Sequence, residues 1–199
     1  MRKNQHFLFS TYFKYGTLHI SDFGAYDHML FLLTITVGFN IWHWKKVFWS
    51  VTGFTLGHSI SLALATLNIL NINSNYIEFA IPITIAISAI VTIVKSQGNN
   101  PTKFTLIQFL IITAFGIVHG AGFSGYLGQM LPTNVNIFVP LLSFNLGIET
   151  GQLLIVLGIL LLNLIAEQVL KITKPKWVLF WMGGAFCLSF QLILENKLW

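Results

Sequence analysis

Apolar residues in this chain run continuously and do not alternate with polar ones. Six stretches are almost entirely hydrophobic: Ala25–Ile41, Val47–Leu67, Ile77–Val94, Phe104–Phe123, Ile137–Ile165 and Trp177–Leu194. At 1.5 Å per residue, crossing the ~30 Å hydrocarbon core of a bilayer takes about 20 such residues. The pattern therefore predicts an all-α polytopic membrane bundle of about six transmembrane helices, in one membrane domain covering residues 1–199. The breaks at 42–46, 68–76, 95–103, 124–136 and 166–176 are short and polar. Pro101, Pro132 and Pro175 fall in breaks, where a missing N–H costs nothing, whereas Pro82 predicts a kink in the third span. The segment from about His6 to Ile20 is too polar to span. Phe9, Phe13, Gly16 and Ile20 recur there at helical spacing, so an N-terminal amphipathic helix lying in the membrane interface is expected.

Composition agrees with the pattern. Only 9% of residues are charged and mean hydropathy is +0.74, whereas a soluble domain carries about 25% charged residues. Such a chain could not cover its apolar surface in water, so the lipid bilayer is its first expected partner. The single cysteine, Cys187, excludes an internal disulfide framework and a CxxC metal site. The net charge of +5 is scattered over short loops, which excludes a nucleic-acid surface and carries topology information. Lys45, Lys46, Lys95, Lys103, Lys171, Lys174 and Lys176 all fall in the first, third and fifth loops. By the positive-inside rule those loops are cytoplasmic and both termini lie outside. Trp42, Trp44, Trp49, Trp177 and Trp199 stand near span ends, as an aromatic belt requires. Met1-Arg2-Lys3 resembles the start of a secretion signal, but Lys14 interrupts the apolar stretch behind it, so the N-terminus is expected to be retained.

Against this background a few polar residues need a reason, because an ionisable group inside a bilayer costs at least ~2.5 kcal/mol. They are Asp27 and His28 in the first span, His58 in the second, Glu78 at the start of the third, His119 in the fourth and Glu149 in the fifth. Under the expected topology these groups converge on the middle and outer half of one bundle. Their shared chemistry is coordination of a divalent transition metal, since imidazole and carboxylate suit Ni, Zn, Co, Fe or Mn. The candidate metal residues are His28, His58, His119 and Asp27, with Glu149 and His19 as further members. Asp27, Ser59 and Thr55 are candidates to fix histidine tautomers. Asn145, Glu149 and Gln152 form one polar stripe, which helix–helix hydrogen bonding would equally explain. Glu78 could equally offset a helix dipole. Gly116, Gly120, Gly122, Gly147 and Gly151 would permit close helix approach. His43 and His6 read as interfacial and tail residues. Thr52-Gly-Phe54-x-x-x-His58 is echoed by Thr113-Ala-Phe115-x-x-x-His119, on two spans expected to run in the same direction.

These residues carry a family likeness. Gly16-x-x-His19, Tyr26-Asp27-His28-x-Leu30-Phe31, Phe54-Thr55-x-x-His58-Ser59-x-x-Leu62 and His119-Gly120-x-Gly122-Phe123 together resemble the HupE/UreJ family. This is a family of small bacterial membrane proteins named as hydrogenase and urease accessory proteins. The likeness runs from about Gly16 to Gln152. Ile20 stands where the family's nickel motif has proline, which points to a divergent branch. The resemblance implies a nickel-permease-like protein of the bacterial inner membrane, with His19, Asp27, His28, His58, His119 and Glu149 as its polar motif residues.

Three functions compete: a permease for nickel or a similar divalent metal, a zinc-dependent intramembrane hydrolase, and an accessory or scaffold subunit. A homo-oligomer or an accessory partner protein is compatible with each. The sequence favours the permease over an enzyme. A rhomboid-like reading of Gly122-Phe123-Ser124-Gly125 fails because the sixth span holds no histidine to act as base.

Overall fold

The computed structural model describes residues 2–22, 24, 26–67, 69–70, 72–97, 105–130 and 137–198, with backbone alone for 2–4 and 124–130. Ala25, Pro101, Lys103, Phe104, Pro132 and Trp199 thus lie outside the described residues. Among the described residues there are seven α-helices: α1 (Arg2–Ile20), α2 (Asp27–Thr36), α3 (Trp44–Thr66), α4 (Ser74–Ser96), α5 (Leu106–Met130), α6 (Phe138–Gln168) and α7 (Lys174–Glu195). A single 3₁₀ turn, Ile41–His43, leads into α3. Five helices, α3 to α7, are long and apolar enough to cross a membrane.

Local chemistry places several of the ends. Thr105 and Gln108 form a capping box before α5: the Thr105 N–H donates to Gln108 Oε1 at 2.9 Å, and the Gln108 N–H donates to Thr105 Oγ1 at 3.3 Å. Asn73 caps α4 by accepting from the Asn75 N–H at 3.0 Å. Pro175 occupies the first turn of α7, where its fixed φ suits a helix start. Pro82, expected to kink the third span, lies inside α4, which continues through it as one helix. α5 likewise runs past Phe123 to Met130, so the polar break there marks the end of the apolar stretch and not the end of the helix.

Two corrections concern the N-terminal third. The first expected span, 25–41, is a helix of only ten residues, about 15 Å long and too short to cross. The segment before it, expected in the interface, packs lengthwise along α6. Gly16 lies against the Phe144 carbonyl, Gly147 against the Phe13 carbonyl, and Gly151 against Ile20, so α1 and α6 run parallel. α2 continues in the same direction beside the second half of α6: Leu32 joins Val156 and Leu160 in one core cluster. Beyond it, Asn163 Nδ2 donates to the carbonyls of Val37 and Phe39 at 3.1 and 2.7 Å. α1 and α2 are therefore two halves of one broken helix, both on α6. The break at 21–26 carries an Asx turn in which the Gly24 N–H donates to Asp22 at 2.8 Å. The physical reason is the glycine stripe, which lets a weakly apolar helix gain close contact with α6.

α3 and α5 form a second parallel pair, with Gly57 on the Thr113 carbonyl, Gly116 on the Phe54 carbonyl and Gly120 over His58. This matches the expected common direction of the second and fourth stretches. α4 and α7 close the bundle through Ile77, Ile81, Ile85, Val178 and Met182. Polar bonds knit the helices further: Thr34 Oγ1 donates to Ser88 at 2.8 Å, Thr92 Oγ1 to the Thr34 carbonyl at 2.8 Å, and Thr17 Oγ1 to the Gly147 carbonyl at 3.1 Å. These directions bring Lys45, Lys46, Lys95, Lys171, Lys174 and Lys176 to one end of the bundle. Trp42, Trp44 and Trp49 are exposed there, whereas Trp177 is partly buried and donates to Asn163 Oδ1 at 2.8 Å.

A Cβ at Gly57 would collide with the rigid backbone of α5, so Gly57→Ala is expected to cost about 1–3 kcal/mol. Gly183→Ala adds its methyl where nothing lies within 4 Å and is expected to be neutral or slightly stabilising. Thermal denaturation of both variants in detergent checks the pair.

Candidate metal centre

The break between α1 and α2 sets four histidines in the middle of the bundle. His19 comes from the end of α1, His28 from the first turn of α2, His58 from α3 and His119 from α5. His28, His58 and His119 are 5%, 0% and 1% exposed, and His19 is partly buried. Ring centroids lie 4.8 Å apart for His19–His28, 6.0 Å for His19–His58, 6.1 Å for His28–His58 and 5.6 Å for His28–His119.

Hydrogen bonds fix the orientation of two rings. His28 Nδ1 donates to Asp27 Oδ1 at 3.1 Å, and His119 Nδ1 donates to the Phe115 carbonyl at 2.9 Å. With the proton on Nδ1, each Nε2 presents a lone pair, the tautomer a metal ligand needs. Those atoms are unspent: Nε2 of His19, His28, His58 and His119 is buried without a hydrogen-bond partner, as is Nδ1 of His58. Leaving a buried polar group unsatisfied costs about 1–3 kcal/mol, and here the cost falls at one point in space.

One ligand atom from each of His19, His28 and His58 lies within 4.8 Å of the others. Nitrogens bound to one ion at about 2.0–2.1 Å stand roughly 3–4 Å apart, so the spacing is that of a slightly open site. His119 stands beside this trio, outside the mutual spacing but in ring contact with His28. The donor set is one of imidazoles, with the Asp27 carboxylate behind His28.

The expected residues are thus only partly brought together. His19, named last from the sequence, joins the closest group. Asp27 holds His28 as anticipated. Glu149 is separate: its Oε1 accepts from Thr52 Oγ1 of α3 at 2.9 Å. The tautomer role expected of Thr55 and Ser59 is corrected, because Thr55 Oγ1 donates to Gln152 Oε1 at 2.7 Å and Ser59 Oγ to the Thr55 carbonyl at 2.7 Å. The stripe on α6 is thereby a seam to α3, with Asn145 bonding back to the Leu141 carbonyl at 2.8 Å. Glu78 is exposed at the start of α4, and His43 pairs with Asn40 away from the cluster.

Sequence reading missed the aromatic walls. Phe123 lies 3.8 Å from His19, and Phe31 and Phe54 each lie 5.1 Å from His119, measured between ring centroids. The available signal was spacing, since Phe54 stands one turn before His58 and Phe123 one turn after His119.

A helical bundle of this kind, with a buried imidazole cluster at a helix break, is that of a polytopic membrane protein. The chain belongs to the HupE / UreJ protein family, which matches residues 1–194. No curated protein and no solved structure is a match.

Removing the acceptor behind a metal-bound histidine typically weakens binding about 10–100-fold. Asp27→Asn is expected to do so, and Glu149→Gln to leave affinity within a few-fold, as read by equilibrium dialysis against cobalt.

Proposed function

We propose that this chain is a permease for a divalent transition metal, with nickel as the first candidate and cobalt or zinc next. Family membership supports metal handling in general terms. The observation that carries the reading is that His19, His28 and His58, each with an unpartnered buried Nε2, bring one ligand atom apiece within 4.8 Å of one another. A borderline divalent ion would satisfy those atoms together. Neutral nitrogen donors select such ions over Mg and Ca, which prefer oxygen. They also hold less tightly than thiolates, which suits a cargo that must leave.

In this reading His19, His28, His58 and His119 hold the ion in transit and Asp27 positions His28, the whole chain acting as one membrane unit. The Lys-rich end faces the cytoplasm of a bacterial inner membrane, with both termini on the periplasmic side. A zinc hydrolase would need a carboxylate free to act as base beside metal-bound water. Asp27 is engaged with His28 and Glu149 with Thr52, which favours carriage.

Detergent-purified protein incubated with nickel, cobalt or zinc is expected to hold about one ion per chain by mass spectrometry. His28→Ala and His58→Ala are expected to abolish that binding while still inserting, and His43→Ala to leave it unchanged. No bound metal in any condition would leave the histidines as packing residues and the reading would fall.

A further inference from the structure

We propose that two phenylalanine pairs, Phe123–Phe144 and Phe31–Phe54, are the outer and inner gates of the imidazole cluster. The structure is then the doubly closed form of an alternating-access site. The inference rests on the reading that the cluster carries a metal ion.

The two pairs lie on opposite sides of the histidines. Phe123 stands one turn after His119 on α5, and Phe54 one turn before His58 on α3. Because α3 and α5 are parallel, these displacements point to opposite ends of the bundle. α2 and α6 run the other way, so Phe144, in the first half of α6, falls with Phe123. Phe31, one turn past His28, falls with Phe54. Ring contacts agree with this layering. Phe123 and Phe144 stack at 5.3 Å and 9°, and both lie against His19, at 3.8 and 5.9 Å. Phe31 and Phe54 meet at 4.9 Å, and each is 5.1 Å from His119. Phe31, Phe54 and Phe144 are 0% exposed, and Phe123 is half-buried. An ion cannot pass rings in contact unless one of them turns away.

What parts the rings follows from the packing. α3 and α5 are fastened by backbone contact at Gly57 and Gly116, and α1 and α6 at Gly16 and Gly147. α2 is tied to α6 by Asn163. These make two arms, α3–α5 and α1–α2–α6. The outer pair joins α5 to α6 and the inner pair joins α3 to α2, so each gate bridges the arms, at opposite ends. The side-chain bonds Thr52–Glu149 and Thr55–Gln152 join the arms beside the inner pair, with Thr52 and Thr55 on either side of Phe54 in α3. Rocking one arm on the other parts the ring pair at one end while the pair at the other end stays in contact, which is how inverted or paired bundles alternate access.

The test uses the full chain, with cobalt as probe. Binding by wild-type protein is measured first, and its absence would sink the carriage reading before the gates are reached. Given binding, Phe123→Ala and Phe54→Ala are each expected to keep Kd within about threefold while speeding release to a chelator about tenfold. In proteoliposomes with a cobalt-quenched dye inside, the double variant is expected to leak cobalt about tenfold faster than wild type, without saturating, and the single variants are not. If either single variant leaks like the double, or if the double binds cobalt and does not leak, two gates in series are overturned. Phe123→Leu and Phe54→Leu keep the packing volume should an alanine variant fail to insert. They are expected to release cobalt at rates between wild type and alanine, and wild-type release from both would also overturn the gates.

Discussion

Lipid tails are as apolar as leucine, so in a bilayer no hydrophobic force presses one helix on another. Contact must come from close packing and from hydrogen bonds, and in this chain it comes chiefly from glycine. Where α3 meets α5 and α1 meets α6, backbone lies directly on backbone, with no room for a methyl group between. That approach brings His58 and His119 within one layer and carries His19 to the same depth. Widening either contact by a side chain would separate the imidazoles by more than a metal–nitrogen bond could bridge.

The break between α1 and α2 follows from the same geometry. Irregular backbone at membrane depth is tolerated only where protein surrounds it or where it lines a cavity. At the end of α1, Ser21 Oγ donates to the Thr17 carbonyl at 2.7 Å, and the Gly24 N–H donates to Asp22. The first turn of α2 then presents His28 with Asp27 next to it in sequence, so ligand and acceptor arrive together. At the far end, Asn163 takes up two carbonyls freed where α2 stops and accepts from Trp177.

Much of this was legible in the sequence, and the failures have physical causes. Continuous apolar runs gave α3 to α7 to within about three residues at every end except the last of α5, because crossing a bilayer imposes length and composition together. The rarity of ionisable groups in such runs singled out His28, His58 and His119. The first span failed because apolar residues say where a chain is dry and not whether its helix is continuous. The interfacial placement of α1 failed because its weak hydropathy hides the glycine register that docks it. Glu149 was grouped with the histidines because spans were known and rotation about their axes was not: a carboxylate at the right depth faces Thr52 instead. His119 at the edge of the trio, and the phenylalanine layers on either side, are matters of side-chain direction that no one-dimensional pattern holds.

The pairing of α1 with α6 also dictates an order of assembly. Thr17 donates to the carbonyl of Gly147, a residue 130 positions further along the chain. α1 is made before α6, the surface that holds it. Too polar to stay in lipid alone, it must wait at the membrane surface until α6 is inserted, and only its docking delivers His19. The imidazole cluster is therefore complete only once α6 is in place, although α1, which supplies His19, precedes α6 in the chain.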